Sequence, residues 1–290
     1  MERIVNCIAH RSSEGCLLVG DDKTALIDCG MAFCADATIN NVKRALGQKP
    51  LDYILFSHTH YDHIGALPWF LKEWPQVKVV TSVIGAEVLK KDTPRRVIRE
   101  LSVTAANIYG TKIDVDYDDE LFCAGIMVKE KAIIELGNLT LEVIESPGHT
   151  RDSLSFFVLE SGTLILSETL GALMPDDQVY PCYLSSYKDT IGTIEKCRSK
   201  PFTLLSLPHR GVVNEEVSKT FFDKAMAANV ECFNFIAGLK DINISEEEIL
   251  ERYINRNGSD MLFTYQPKEA FLLNARATVS CTLRELSEKN

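Results

Sequence analysis

Three of the six histidines in this 290-residue chain fall within six positions, in the run His58-Thr59-His60-Tyr61-Asp62-His63. Imidazoles and a carboxylate packed this densely are the donors that zinc, iron and manganese take. The run follows an apolar stretch, residues 51–56, that reads as a buried strand. It precedes residues 64–71, which read as the start of an apolar helix. Two residues apart on extended backbone, His58 and His60 project to the same side. Asp62 and His63 then come off the turn and the first helical residues.

Three more polar residues stand where an apolar strand stops: His149 in Ser146-Pro147-Gly148-His149-Thr150, Glu168 after residues 163–167, and His209 in Pro208-His209-Arg210-Gly211. In α/β architectures such strand ends are where sites are built. Seven ligands are too many for one tetrahedral zinc. They suit two divalent transition-metal ions sharing a bridging carboxylate and a bridging water, with zinc favoured over iron and manganese. His10, beside Arg11-Ser12-Ser13, is the histidine left over, and a surface turn is its expected place.

The elements that must position these residues follow from pattern and punctuation. Residues 4–9, 16–19 and 24–28 read as strands, the last two flanking the turn Gly20-Asp21-Asp22-Lys23. Residues 36–46 have helical spacing. Beyond the histidine run come a helix ending near Trp74-Pro75, a strand at 77–81 and a helix at 82–90. The helical run from Pro94 to Tyr109 is closed by Gly110. Asp114, Asp116, Asp118, Asp119 and Glu120 form an acidic stretch without the glycine and terminal glutamate of an EF-hand. A solvated loop over the mouth of the site is expected there. Hairpins at 132–145 and 153–167 are followed by a helix at 187–200 and a strand at 203–207. From Glu215 onward every pattern is helical, including a capping box at Ser245-Glu246-Glu247-Glu248. The sheet-and-helix order indicates an α/β fold.

Composition excludes several classes. The formal net charge is −10 and no Lys/Arg block stands out, which disfavours a nucleic-acid groove. The nine cysteines include no Cys-x-x-Cys pair, the usage of a reduced, cytoplasmic protein. The first residues do not read as a signal peptide, and no apolar run is long enough to span a bilayer. The expected partner is a small-molecule substrate, with neither nucleic acid nor membrane. A homo-oligomer remains open.

The motifs resemble those of the metallo-β-lactamase superfamily. His58, His60, Asp62 and His63 match its His-x-His-x-Asp-His signature. Pro147, Gly148, His149 and Thr150 match the downstream Pro-Gly-His-Thr. Leu26, Ile27, Asp28 and Gly30 match the early Leu-Ile-Asp-x-Gly strand, and His209 matches the final histidine before a glycine. The resemblance covers roughly residues 1–212. It implies an αββα sandwich over residues 1–214, with residues 215–290 as a C-terminal helical extension packed on the core. It also implies a binuclear site in which one metal takes His58, His60 and His149 and the other Asp62, His63 and His209. The family usually bridges its metals with an aspartate in a Gly-Asp pair. Here Ser167-Glu168 stands instead, and Glu168 is expected to bridge both ions.

The implied activity is hydrolysis by a bridging hydroxide, with Asp62 orienting the water and accepting its proton. The C-terminal helices and the insert at 94–109 are most similar to the glyoxalase II-like and quinolone-signal response thioesterase-like branches. A small thioester or other ester-like substrate is therefore expected. A lactonase, a phosphodiesterase or a metal-containing regulatory protein of the same fold is the alternative. Tyr183 and Arg210, near the later motifs, are candidate substrate contacts, although a tyrosine close to a proline is often only packing. An intact Asp62 disfavours the true β-lactamases. The flavodiiron branch, with a glutamate in place of the second histidine and a flavodoxin domain, is disfavoured too.

Overall fold

The computed structural model describes residues 3–113 and 115–288, so the part of Asp114 in the acidic stretch lies outside the described residues. The chain divides into two compact units. The first comprises Met1–Glu145, Asp152–Ser167 and Pro201–Val212. The second comprises Ser146–Arg151, Glu168–Lys200 and Val213–Asn290.

The first unit holds two six-stranded sheets. One runs in the order β1 (Arg3–Asn6), β2 (Cys16–Val19), β3 (Thr24–Ile27), β4 (Tyr53–Leu55), β5 (Lys78–Ser82) and β6 (Ile126–Val128). Its first three strands are antiparallel, and the pairs from β3 to β6 are parallel. The other contains β7 (Ile133–Glu135), β8 (Thr140–Glu145), β9 (Leu154–Val158), β10 (Thr163–Ile165), β13 (Leu204–Leu207) and β14 (Gly211–Val212), with the β10–β13 pair parallel and the rest antiparallel.

Strands β2 and β3 read as nearly unbroken apolar runs because both of their faces are buried. Leu18, Ala25, Ile27, Leu55 and Val80 meet Leu141, Val143, Phe156 and Val158 of the second sheet. The alternate residues Leu17, Leu26, Ile54 and Val79 face the other way, onto α1 (Ala35–Leu46) and its neighbours Leu67 and Phe70. One strand face thus builds the inter-sheet core and the other the helix-covered core.

The helix expected after the histidine run is two helices, α2 (Tyr61–Ile64) and α3 (Leu67–Glu73). Pro68 has no N–H for the carbonyl of Ile64, so a continuous helix cannot pass this point. The Ala66 N–H instead donates to Gly30 O at 2.9 Å. After β5 come α4 (Val83–Leu89), capped by Ser82 Oγ, and the long α5 (Asp92–Ile108). Arg99 of α5 reaches the Val115 and Tyr117 carbonyls and the Asp119 carboxylate, which straps the acidic loop to this helix.

In the second unit β11 (Ala172–Leu173) pairs with β12 (Val179–Tyr180), and α6 (Tyr187–Arg198) is capped by Ser186. The helical tail has α7 (Glu215–Asp241), α8 (Glu246–Asn257), the short α9 (Asp260–Phe263) and α10 (Lys268–Ser287). Ser245 Oγ accepts from the Glu248 N–H as the capping-box sequence predicts. Ile236, Tyr253, Phe271 and Val279 enclose the core of this unit together with Tyr183. The pair β11–β12, strand β14 and helix α9 are too short to leave a sequence period. Among the described residues no helix is long and apolar enough to cross a membrane.

Phe156 is 1% exposed between the sheets. Phe156→Ala is expected to cost about 3–5 kcal/mol of stability, read from the urea midpoint. Loss of the Asn214 cap on α7, whose side chain accepts from the Val217 N–H, should cost only about 1 kcal/mol in Asn214→Ala.

Candidate metal centre

In the first unit the donor residues are held from beneath by Asp28. This residue follows β3 with φ 58°, a left-handed conformation unusual for a side-chain-bearing residue. Its N–H donates to Leu55 O at 2.9 Å. Its carboxylate, 1% exposed, accepts from the Ser57 N–H (2.7 Å), from Ser57 Oγ (2.6 Å) and from His63 Nδ1 (2.8 Å). The N–H groups of Cys29 and Gly30 both donate to His63 O, at 2.9 and 2.8 Å. Gly30 has φ +80°, and a Cβ there would fall 2.2 Å from Ser13 Oγ, so only glycine lets the loop of residues 7–15 lie against this turn.

His58, His63 and His209 are anchored through Nδ1. The Ser57 hydroxyl spends its proton on Asp28, so it accepts from His58 Nδ1 at 3.1 Å. His63 Nδ1 donates to Asp28, and His209 Nδ1 to Ser13 O at 3.2 Å. Carbonyl and carboxylate acceptors require the proton on Nδ1, which leaves Nε2 as the basic nitrogen. His209 also has a positive φ of 59°, and its N–H donates to Glu14 Oε2 at 2.6 Å. Burial pushes the Glu14 carboxyl up, while His209 and His63 pull it down.

The donor atoms of Asp62, His63 and His209 lie within 4.8 Å of one another. Asp62 Oδ2 is 3.7 Å from His63 Nε2 and 3.9 Å from His209 Nε2. The His58 ring centroid is 4.6 Å from that of His60 and 4.0 Å from that of His63.

In the second unit Gly148 has φ +141°, and a Cβ there would meet Thr190 Oγ1 at 2.1 Å. The tight turn it makes carries His149, whose N–H donates to Thr169 Oγ1 (3.2 Å) and whose Nδ1 donates to Cys182 O (2.6 Å). Its Nε2 is 2.9 Å from Glu168 Oε2. Glu168 opens the 3-10 turn Glu168–Leu170 and is 8% exposed. The tail supports this pair. Asn229 of α7, fully buried, donates to Leu170 O at 3.2 Å. Glu285 of α10 accepts from Ser186 Oγ and the Tyr187 N–H at the start of α6.

Tyr183 lies in the core of this unit with no exposed surface, its hydroxyl donating to Cys232 Sγ and 3.0 Å from Thr282 Oγ1. The structure therefore places it in packing rather than on a surface. Arg210 is exposed beside His209. Asp28 is visible in the sequence only as part of a motif, and Ser13, Glu14, Ser57 and Asn229 carry no sequence signal, because a hydrogen bond across a fold leaves no mark on local spacing.

The sequence profile of the Metallo-beta-lactamase superfamily matches residues 15–209. The chain belongs to the metallo-β-lactamase superfamily. Its two sheets with flanking helices are the αββα fold of that superfamily, and superfamily members are generally hydrolases. The metallo-beta-lactamase fold-containing protein ST1585 of Sulfurisphaera tokodaii is 23% identical over 83% of this chain and 87% of its own. A nitric oxide reductase of Moorella thermoacetica is 27% identical over 56% of this chain, and a hydroxyacylglutathione hydrolase of Legionella pneumophila is 25% identical over 42%. The matches span only 36% and 35% of those two proteins. Among solved structures, a metallo-beta-lactamase family protein of Thermus thermophilus superposes with TM-score 0.63 at 17% identity, covering 99% of this chain and 93% of that one.

The donor set fits a metal of this superfamily. In the first unit His58, His63 and His209 present Nε2 with the Asp62 carboxylate among the donors, in the second His149 pairs with Glu168, and imidazole with carboxylate suits zinc, iron and manganese alike. A carboxylate or carbonyl behind a ligating histidine fixes its tautomer and raises its basicity. Asp28→Asn should therefore lower metal affinity about 10–100-fold. Titration of the metal-free variant against a colorimetric chelator reads this directly, and unchanged affinity would rule out a supporting role for Asp28.

Proposed function

We propose that the chain is a binuclear hydrolase of small thioesters or related esters. His58, His60 and His149 hold one divalent transition-metal ion, and Asp62, His63 and His209 hold the other. Zinc is favoured over iron and manganese, and Glu168 bridges the two ions. The observation that carries this reading is the common Nδ1 anchoring of His58, His63, His149 and His209, which leaves Nε2 as the basic nitrogen of all four. The 2.9 Å between His149 Nε2 and Glu168 Oε2 also suits two donors sharing one ion at bond lengths of about 2.1 Å.

When bound, paired cations lower the pKa of water and polarise a carbonyl. The rest falls to side chains. Asp62 accepts the proton of the attacking water at a carboxylate oxygen, and Arg210, exposed next to His209, reaches an anionic part of the substrate. A thioester is favoured over lactones and phosphodiesters because a hydroxyacylglutathione hydrolase is among the relatives, 25% identical over 42% of this chain.

Elemental analysis of purified protein should find two transition-metal ions per chain. A panel of thioesters, lactones and phosphodiesters should show thioester turnover that is lost with chelator and regained with added metal. Metal-loaded protein that hydrolyses none of the panel would overturn the reading in favour of a binding or regulatory role. Glu168→Ala should retain about one ion and little turnover, since the mutual repulsion of two dications then lacks its bridging counter-charge. Glu168→Asp should retain two. Two ions in Glu168→Ala would end the bridging assignment.

A further inference from the structure

The second unit holds a groove of about 320 Å³ that none of the donor candidates lines. This volume falls within the range of small-molecule sites. One face of α7 forms its floor, with Lys224, Ala227, Ala228, Glu231 and Phe235 at the spacing of neighbours along a helix. The turn between β11 and β12 forms one wall, and the last residues of α8, Arg256 and Asn257, form the other. Ala227 and Ala228 lie midway, where their short side chains leave the groove open.

An ion pair ties a wall to α7 at each end. Lys224 pairs with Asp177 of the turn, and Arg256 of α8 pairs with Glu231. The Arg256 guanidinium also lies over the Phe235 ring, 4.4 Å from its centroid. Lys224 and Glu231 are seven residues apart on one helix, which separates the two pairs by about 10 Å along its axis.

Exposure within these pairs decides the sign of a ligand. Side-chain exposure is 35% for Lys224 against 56% for Asp177, and 42% for Arg256 against 69% for Glu231. The cations are the more sheltered members, and an aromatic face orients one of them. Ion pairs this exposed hold weakly, because water screens them. An incoming anion has only to displace a carboxylate that is mostly in water, and it then finds a cation already in place. An incoming cation would have to displace the sheltered partner. Between the ends, Val179, Pro181 and the two alanines offer apolar surface without charge.

We propose that this groove binds an elongated dianion, with one anionic group on Lys224, the other on Arg256 and a slender apolar body across Ala227 and Ala228. Neither His149 nor Glu168 lines the groove, so this ligand is bound and not hydrolysed. The site does not depend on the hydrolase reading above.

Calorimetry of the full chain with sebacate, a linear α,ω-dicarboxylate, tests the site. Sebacate should bind once per chain and about tenfold more tightly than decanoate, which has the same chain length and one carboxylate. The corresponding diamine should not bind. Lys224→Gln and Arg256→Gln should each lower sebacate to the affinity of decanoate. Glu231→Gln removes a competing carboxylate and should tighten sebacate severalfold. Ala227→Phe, on an exposed position of α7, should fill the groove and abolish binding. Equal binding of sebacate and decanoate, or no binding of either, overturns the site. Sebacate binding that persists in Ala227→Phe protein of native circular dichroism also overturns it, and places the carboxylate elsewhere on the chain.

Discussion

A buried carboxylate acting on two neighbours is the constraint from which the first unit's chemistry follows. Asp28 is almost completely removed from water, and it accepts three hydrogen bonds from Ser57 and His63. Removing a carboxylate from water is tolerated only when its lone pairs are taken up in this way. The arrangement sets the His63 tautomer directly and the His58 tautomer through the Ser57 hydroxyl. It also requires Asp28 to sit in the left-handed region, a backbone cost that persists only where surrounding contacts over-determine it. Those contacts are the Asp28 N–H on β4 and the two peptide groups clamped on His63 O.

The second unit solves the same problem with different parts. His149 is oriented by a main-chain carbonyl, and Glu168 by a short helical turn whose last carbonyl accepts from Asn229 of the tail. The helices after residue 214 are thus part of the support of two donor candidates. Tyr183 shows how tightly that support is built, since it follows Cys182, the residue that orients His149, and is itself buried against α7 and α10. Its hydroxyl is satisfied inside the core, as a buried phenol requires.

Superfamily membership fixes the fold and the general chemistry, whereas the substrate is decided by what borders the donors. Relatives as different in name as a hydroxyacylglutathione hydrolase and a nitric oxide reductase each align with about half of this chain. A scaffold shared that widely places function in the residues around the site rather than in the sheets.

The sequence by itself determined the donor types, the strands that end at them and most helices, because these depend on local spacing. Two faces of burial read as unbroken apolar strands, hairpins announce themselves through glycine and asparagine, and Ser245 caps its helix three residues away. Only the tertiary structure decided which nitrogen each histidine presents, since the groups responsible are far off in the chain. Asp28 is 35 residues from His63, Cys182 is 33 from His149, and Ser13 is 196 from His209. It also decided that His10 joins two aromatic rings, those of Phe33 and Tyr109, and that Tyr183 faces inward. Periodicity reports which side of an element is apolar; it carries no information about which distant loop comes to lie against that side.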